Sequence, residues 1–258
     1  MKTYPQIDFD QILTIARAAG KAILEIYNHA DFSKVVDFKS DQSPLTLGDK
    51  ASHQVIVTNL ENLNYPIPII SEEGIEVPFE QRQDYTTFWL IDPLDGTKEF
   101  IKRNGQFTVN IALIDEGRPV FGVVHVPVKE VTYYSLPGKG AFKQVGEEPA
   151  MPLKVNNKQK DRIAVRSKSH AAPEEEDVLA HYGANESISV GSSLKFCMVA
   201  EGKADIYYRH GPTMEWDTAA GQAVVEGAGG KVFRDTGPDP FTYNKESLLN
   251  GSFLCLGF

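Results

Sequence analysis

Apolar residues recur at helical spacing in two segments near the start of the chain. The first segment forms one stripe from Ile12, Ala16, Ala19, Ile23 and Ile26. Asp8, followed three residues later by Gln11, resembles a capping box that opens this helix. Thr46 is predicted to be the N-cap of the second helix, which places Asp49 in the first turn. The apolar face of that helix carries Ile56, Leu60 and Leu63.

Short apolar runs separated by turn residues follow, and they predict a mostly antiparallel sheet. The run 67–70 is interpreted as a strand that ends at Ser71-Glu72-Glu73. The run 88–91 is interpreted as a second buried strand, which ends at Asp92. Further strands are predicted at 108–114, 121–126, 131–135 and 141–145.

From about residue 160 the pattern changes to strands that alternate with helices. The strands are predicted at 163–166, 188–190, 204–208 and 231–233, and the helices at 193–201 and 218–226. The polar stretch 156–161 is the best boundary, so the chain divides into an α+β half, 1–158, and an α/β half, 159–258. We expect an α/β fold whose two halves share one interface as a single unit.

Composition narrows the function. The 258 residues include 26 Lys and Arg and 35 Asp and Glu, which gives a net charge of −9. This charge argues against a broad basic surface that would bind polymeric nucleic acid. A small anionic substrate stays compatible, because bound divalent cations reverse the field inside one pocket. Cys197 and Cys255 are too few for a zinc cluster or a disulfide framework, and Cys197 is expected to be buried. With no signal-peptide pattern and no apolar run of membrane-spanning length, we expect a cytoplasmic protein.

The segment from Asp92 to Thr97 carries the most informative chemistry. A buried strand delivers Asp92 to its carboxyl end, and Pro93 and Gly96 allow the chain to bend quickly. Asp92, Asp95 and the Leu94 carbonyl can then face one point, and hard oxygen ligands of this kind suit magnesium. Taken alone, the segment is also typical of a turn that binds no metal.

Other acids stand at similar places, and each has a second interpretation. Glu72 and Glu73 follow a predicted strand directly, which fits a metal site but also a solvated loop. Asp217 precedes an Ala-rich helix, where it fits a metal ligand but also an N-cap. It is the number of acids at such ends that favours a metal site.

Three signatures, in this order along the chain, resemble the inositol monophosphatase superfamily. They are Glu72-Glu73, Asp92-Pro93-Leu94-Asp95-Gly96-Thr97 and Trp216-Asp217-Thr218-Ala219-Ala220-Gly221. The resemblance covers nearly the whole chain and implies a layered αβαβα sandwich of the sugar-phosphatase type. Within the superfamily the chain is most similar to 3'(2'),5'-bisphosphate nucleotidases of the CysQ type. The stretches that carry this similarity are 39–44, 95–100, 103–108 and 191–197.

The resemblance implies a cofactor of two or three magnesium ions. Glu72, Asp92 and the Leu94 carbonyl would hold the first ion. Asp92, Asp95 and Asp217 would hold the second, and a third, weaker ion would lie near Glu73. The N-terminal half would therefore be the metal-binding sub-domain, and the C-terminal half the substrate-binding one.

The same resemblance implies that the nucleophile is a water held between a metal, Thr97 and Asp49. Asp49 would polarise the Thr97 hydroxyl and help to take the proton from that water. Without the resemblance, Asp49 fits a residue that stabilises a helix dipole, and Thr97 fits a helix cap.

Substrate contacts are implied on both sides of the site. The peptide groups of Gly96 and Thr97 would face the scissile phosphate, and Glu72 and Asp217 are assigned to substrate binding as well. The substrate's other phosphate would contact residues of the second half, namely Ser192 and Lys195 with Arg209 and His170 nearby. Taken alone, Lys195 also fits a solvated helix face and His170 an exposed loop.

The implied activity is the hydrolysis of adenosine 3',5'-bisphosphate to AMP and phosphate, in support of sulfate assimilation and with inhibition by lithium. One alternative is a phosphatase of the same superfamily that acts on inositol phosphates or fructose 1,6-bisphosphate. Another is a non-catalytic nucleotide or metal sensor. A monomer and a homodimer both fit the sequence. Some relatives associate with the cytoplasmic face of the inner membrane, but the chain shows neither a basic amphipathic helix nor a lipidation motif.

Overall fold

The computed structural model describes residues 4, 6–29, 36–38, 44–169 and 172–258. Across these residues it contains seven α-helices, labelled α1 to α7 in chain order. They are Phe9–Tyr27, Leu47–Glu61, Phe79–Arg82, Thr97–Ile101, Glu175–His181, Leu194–Ala200 and Glu215–Gly227. Asp8 caps α1 and Thr46 caps α2, as the sequence predicted, and Asp49 lies in the first turn of α2.

The first large sheet has seven strands that pair in chain order. They are β3 (Ile69–Ser71), β4 (Thr87–Asp95), β5 (Thr108–Asp115), β6 (Arg118–Val126), β7 (Val131–Leu136), β8 (Gly140–Val145) and β9 (Met151–Pro152). Only β3 and β4 run parallel, so the prediction of a mostly antiparallel sheet is confirmed. A single 3-10 turn, Pro127–Lys129, separates β6 from β7.

The second large sheet has five strands from the later part of the chain. They are β10 (Arg162–Ser167), β11 (Ala184–Val190), β12 (Ile206–Arg209), β14 (Lys231–Arg234) and β16 (Phe253–Leu256). Their spatial order is β11-β10-β12-β16-β14, with the first three strands parallel and β16 antiparallel to both of its neighbours. Two small antiparallel pairs complete the described strands: Val36–Phe38 (β1) with Pro44–Thr46 (β2), and Thr213–Met214 (β13) with Leu249–Asn250 (β15).

The elements stack in five layers. Helices α1 and α2 cover one face of the first sheet, and α6 and α7 lie between the two sheets. Helix α5 covers the outer face of the second sheet. Apolar side chains fill the spaces between the layers, with Trp89 on one face of the first sheet and Phe88 on the other. The predicted αβαβα sandwich is confirmed.

Strand β4 differs from its prediction at the point where the chemistry lies. The sequence predicted that this strand ends at Asp92, but it continues to Asp95. Its pairing with β5 shifts between Asp92 and Asp95, where Pro93 has no N–H to donate to the ladder. The segment is therefore a bulge within a strand rather than a loop, and bulges redirect side chains at such places.

Helix α7 begins earlier than predicted. The sequence placed Asp217 at the N-cap, but the helix starts at Glu215 and its N-cap is Met214. The Asp217 carboxylate accepts a hydrogen bond of 2.8 Å from the Met214 N–H, so it caps the helix from inside the first turn. The small residues Ala219, Ala220 and Ala223 of this helix are buried between the sheets.

Several short elements were not predicted, among them α5 and the interior strand β16. Cys197 is fully buried, in agreement with its prediction. Among the described residues, no helix combines the length and apolar character needed to cross a membrane. The division of the chain into two sub-domains stays a prediction.

Candidate metal centre and the cavity beside it

Three acidic side chains from separate elements meet at one point. Glu72 follows β3, Asp92 lies within β4 and Asp217 lies in the first turn of α7. One carboxylate oxygen from each lies within 4.8 Å of the others. The parallel pairing of β3 with β4 brings the first two together, since the Glu72 N–H donates to the Ile91 carbonyl at 3.1 Å.

Burial and mutual repulsion disfavour the charged form of these acids. Asp92 is 1% exposed, and burial raises its pKa well above the usual range, with the charges of Glu72, Asp95 and Asp217 adding to the shift. Burial likewise raises the pKa of Asp217, followed by the charges of Asp95 and Glu72. A cation among them would favour the charged forms, and hard carboxylate oxygens are the donors that Mg²⁺ prefers. The donor set therefore fits a divalent cation.

Asp95 joins this group while being held by the second half of the chain. Its Oδ2 accepts from the Ser193 N–H at 2.5 Å and from the Ser193 hydroxyl at 2.8 Å. Asn110 Nδ2 lies 3.4 Å from the same oxygen and 3.0 Å from the Ser193 hydroxyl oxygen. These donors occupy Oδ2 and leave Oδ1 for a ligand. We call Glu72, Asp92, Asp95 and Asp217 the acidic wall.

Asp49 and Thr97 form a hydrogen-bonded pair close to this wall. The Thr97 hydroxyl lies 3.4 Å from Asp49 Oδ1 and 3.5 Å from the Leu94 carbonyl oxygen. Asp49 Oδ2 accepts from the Thr46 N–H at 2.7 Å and from its hydroxyl at 2.5 Å. Burial raises the pKa of Asp49 to about 6, and the negative charges of Glu73 and Glu72 contribute. Asp49 can therefore take up a proton at a pH only slightly below neutral.

A cavity of about 460 Å³ opens beside the acidic wall. Many of the residues predicted to bind metal or substrate line it, and they come from both halves of the chain. These are Glu72, Asp95, Gly96, Thr97, Ser192, Lys195, Arg209 and Asp217. Asp49, Asp92 and Leu94 are buried behind this surface, while Glu73 is partly exposed next to Glu72.

Ser192, Lys195 and Arg209 line the same cavity and supply positive charge and a hydroxyl group. We call these three residues the basic wall. All three are buried, with exposed fractions of 9%, 6% and 8%. Burial lowers the pKa of Lys195 to about 8. Its ammonium donates to the Ser192 carbonyl at 2.5 Å and lies 5.4 Å from the centre of the Tyr207 ring. Among the described residues, the Ser192 hydroxyl has no hydrogen-bond partner.

Two contacts at the candidate site were not predicted, and one predicted residue cannot be placed. His170 was predicted to bind substrate, but it lies outside the described residues, as do 39–43 of the similar stretches. The contact of Ser193 with Asp95 was not predicted, although Ser193 belongs to the stretch 191–197, which carries part of the similarity to the bisphosphate nucleotidases. Asn110 was missed because it is an isolated polar residue inside an apolar strand, and nothing local marks it.

Comparison with known proteins gives a consistent result. A model described as the inositol monophosphatase family matches residues 8–254. The 3'(2'),5'-bisphosphate nucleotidase CysQ of Escherichia coli (strain K12) is 46% identical over 251 residues, which covers 95% of this chain and 97% of that protein. The crystal structure of CysQ from Bacteroides thetaiotaomicron superposes with a TM-score of 0.86 at 43% identity, covering 98% of each chain. The IMPase of Thermotoga maritima has a TM-score of 0.78 at 22% identity and shows the fold alone, covering 96% of this chain and 91% of its own.

Proposed function

Because the chain belongs to the inositol monophosphatase family, we propose that it is a 3'(2'),5'-bisphosphate nucleotidase that hydrolyses adenosine 3',5'-bisphosphate to AMP and phosphate. One observation carries the choice of substrate class. Glu72, Asp95 and Asp217 of the acidic wall line the same cavity of about 460 Å³ as the basic wall, and Asp92 is buried behind them. A substrate with two phosphates can place one beside metal ions at the acids and the other beside Lys195 and Arg209.

The proposed cofactor is magnesium, in two or three ions, and the family is metal-dependent. Glu72, Asp92 and the Leu94 carbonyl would hold one ion, while Asp92, Asp95 and Asp217 would hold another. Glu73 would lie near a third. When bound, these ions supply positive charge that lowers the pKa of the attacking water and stabilises the leaving oxygen. The clustering of Glu72, Asp92 and Asp217 supports this assignment.

Asp49 and Thr97 would move the proton. The Thr97 hydroxyl donates toward Asp49, so its oxygen lone pairs face away and can accept a hydrogen bond from water. Asp49, with a pKa of about 6, is ionised at neutral pH and can take the proton through this pair. The peptide N–H groups of Gly96 and Thr97 are proposed to contact the scissile phosphate.

Ser192, Lys195 and Arg209 would bind the second phosphate. Burial lowers the pKa of Lys195 to about 8, and a phosphate dianion beside it would favour the charged form further. The Ser192 hydroxyl supplies a neutral donor at the same surface. Charge-assisted hydrogen bonds of this kind are about twice as strong as neutral ones, so the second phosphate contributes strongly to substrate choice.

The test is the rate of phosphate release from adenosine 3',5'-bisphosphate, inositol 1-phosphate and fructose 1,6-bisphosphate, with and without magnesium. We expect kcat/KM for the nucleotide to exceed that for inositol 1-phosphate, which lacks a second phosphate, by about tenfold or more, since a hydrogen bond to a charged group contributes about 1.5–3 kcal/mol. Fructose 1,6-bisphosphate also has two phosphates, so its rate separates recognition of the nucleotide from recognition of a second phosphate. Release should require magnesium. Equal or higher efficiency on inositol phosphate would contradict the proposal. Tight nucleotide binding without turnover would indicate a sensor instead.

A cytoplasmic location, peripheral association with the inner membrane, lithium inhibition and the choice between monomer and homodimer stay predictions. The proposed role in sulfate assimilation depends on the nucleotide activity.

A further inference from the structure

A series of hydrogen bonds connects α4 to the turn that carries Ser192. Within α4, buried Glu99 accepts through Oε1 from the Ser169 hydroxyl at 2.5 Å and through Oε2 from Asn104 Nδ2. Asn104 Oδ1 accepts from the Gln106 N–H at 3.0 Å. Gln106 Oε1 then accepts from the Gly191 N–H, also at 3.0 Å. We call Glu99, Asn104 and Gln106 the relay.

The turn that the relay supports is in an unfavourable backbone conformation. Ser192 has a φ of 50°, in the left-handed region that residues with a side chain seldom adopt. Such strain persists only where surrounding contacts fix the backbone. The Gln106 side chain holds the peptide that joins Val190 to Gly191, one residue before Ser192. The buried hydroxyl and the carbonyl of Ser192 belong to the basic wall.

Gly191 packs directly on the relay. A Cβ at this position would lie 2.7 Å from Glu99 Cγ and 2.9 Å from the Gln106 carbonyl oxygen, both too close for a side chain. The turn therefore lies directly against Glu99 of α4 and the backbone of Gln106, and the hydrogen bond to the Gln106 side chain helps to hold it there.

The same segment also supports the other end of the site. A Cβ on Gly96 would lie 3.1 Å from the Gln106 carbonyl oxygen and 3.2 Å from Ser192 Cβ. Gly96 precedes Thr97 at the start of α4, next to the acidic wall. Residue 106 thus contacts both the element proposed to face the scissile phosphate and the element proposed to bind the second one.

We propose that Gln106 is a positioning residue that fixes the spacing between the two phosphate-binding elements, and so determines specificity for a bisphosphate. This inference rests on the proposed function. A residue that only stabilised the loop would affect all substrates equally. Gln106 should instead matter for the substrate that reaches the basic wall, because only that substrate depends on the Ser192 turn.

The test compares kcat/KM for adenosine 3',5'-bisphosphate with kcat/KM for adenosine 3'-monophosphate, which lacks the second phosphate. In Gln106→Met, a variant of similar size without the acceptor, we expect the ratio of the two to fall about tenfold, as for one lost hydrogen bond in a buried setting. The half-saturating magnesium concentration should stay within about twofold of wild type, which separates Gln106 from the metal ligands.

Gln144→Met is the matched control. Gln144 lies on β8, accepts from Arg17 at 2.5 Å and does not line the cavity, so its variant should keep the wild-type ratio. If thermal unfolding shows that Gln106→Met does not fold, Asn104→Leu removes the acceptor of the Gln106 N–H and should lower the same ratio.

An unchanged ratio in a folded relay variant, whether both substrates keep their kcat/KM or lose it equally, would overturn the inference while leaving the proposed function intact. A wild-type ratio of one or less would overturn the proposed function itself, and the inference with it.

Discussion

The acidic wall and the basic wall face the same cavity, but their charges are balanced differently. The acids repel one another, and burial raises the pKa of Asp92 and Asp217. Burial also lowers the pKa of Lys195 and so disfavours its charged form. The negative charges of Asp95 and Asp217 act in the opposite direction and favour the ammonium. The acidic wall therefore depends on added positive charge, whereas the basic wall is already partly compensated by the protein.

This difference indicates what each wall contributes. Removing one carboxylate of the acidic wall should relieve repulsion in the metal-free protein, but it should also abolish catalytic activity. Removing the positive charge of Lys195 should leave the metal site in place and change only how the substrate is bound. Variants at three positions, Asp92, Lys195 and Ser193, test this contrast.

The largest effect is expected for Asp92→Asn, which keeps the size of the side chain and an acceptor for the Leu94 N–H, now 3.0 Å from Asp92 Oδ1. Loss of a metal ligand should lower kcat/KM about a thousandfold or more, since metal ions contribute several kcal/mol of transition-state stabilisation. The melting temperature of the metal-free protein should rise, because one buried charge is removed. Phosphate release and thermal unfolding measure the two effects.

Asp239→Asn is the control for that variant, because Asp239 is exposed and pairs with Arg234 at the surface. It should keep both activity and stability. Near wild-type turnover in Asp92→Asn would refute the metal assignment, and a lower melting temperature without metal would refute the idea of repulsion.

A smaller effect is expected at the basic wall. Lys195→Met should lower kcat/KM for the bisphosphate about 30-fold, within the range for a lost hydrogen bond to a charged group. In the wild type, Lys195 has a pKa of about 8, so its charge is present at neutral pH and is lost as the pH rises. We therefore expect kcat/KM for the bisphosphate to fall as the pH rises through about 8. Initial rates between pH 6.5 and pH 9.5 measure this.

Lys195→Arg sharpens the result, because a guanidinium stays charged across this range. Its kcat/KM should be lower than that of the wild type but should lack the alkaline decline. If the decline persists in Lys195→Arg, another group causes it.

The smallest effect is expected where the walls meet. Ser193→Ala removes the hydroxyl that lies 2.8 Å from Asp95 Oδ2 but keeps the backbone donor to the same oxygen. Magnesium affinity, measured by calorimetry without substrate, should fall about tenfold, the lower end for residues that orient a metal ligand. The exposed Ser247 gives the control variant Ser247→Ala, with no change expected. A tenfold loss in the control, or none in Ser193→Ala, would contradict the role of Ser193.

The acidic wall could be predicted because its signals are local. An apolar run followed by Asp92, Pro93 and Asp95 is visible within a few residues. Glu72 and Asp217 stand at the ends of predicted elements, and the superfamily signatures then favoured the metal interpretation for both. The basic wall came only from the resemblance, since a single Lys on a helix or Arg on a strand has simpler explanations. The five-layer fold likewise came from the resemblance, while most of its helices and strands followed from hydrophobic periodicity.

What the sequence did not predict depends on contacts between distant residues. Ser193 reaches Asp95 across 98 positions, and Gly191 reaches Gln106 across 85. Strand β16 is only four residues long, and its place inside the second sheet depends on pairing with β12 and β14. The bulge in β4 was taken for a turn, because Asp-Pro and Asp-Gly pairs have the same composition in both structures.

Helix α7 lies between the two sheets, and it carries Asp217 in its first turn. A metal ligand placed on the innermost layer cannot swing aside as one on a peripheral loop could. To separate Asp217 from Glu72 and Asp92, the molecule would have to part its packed layers. An ion shared by these three residues would therefore cross-link the first sheet to the central helix layer, and its removal by a chelator would release that cross-link.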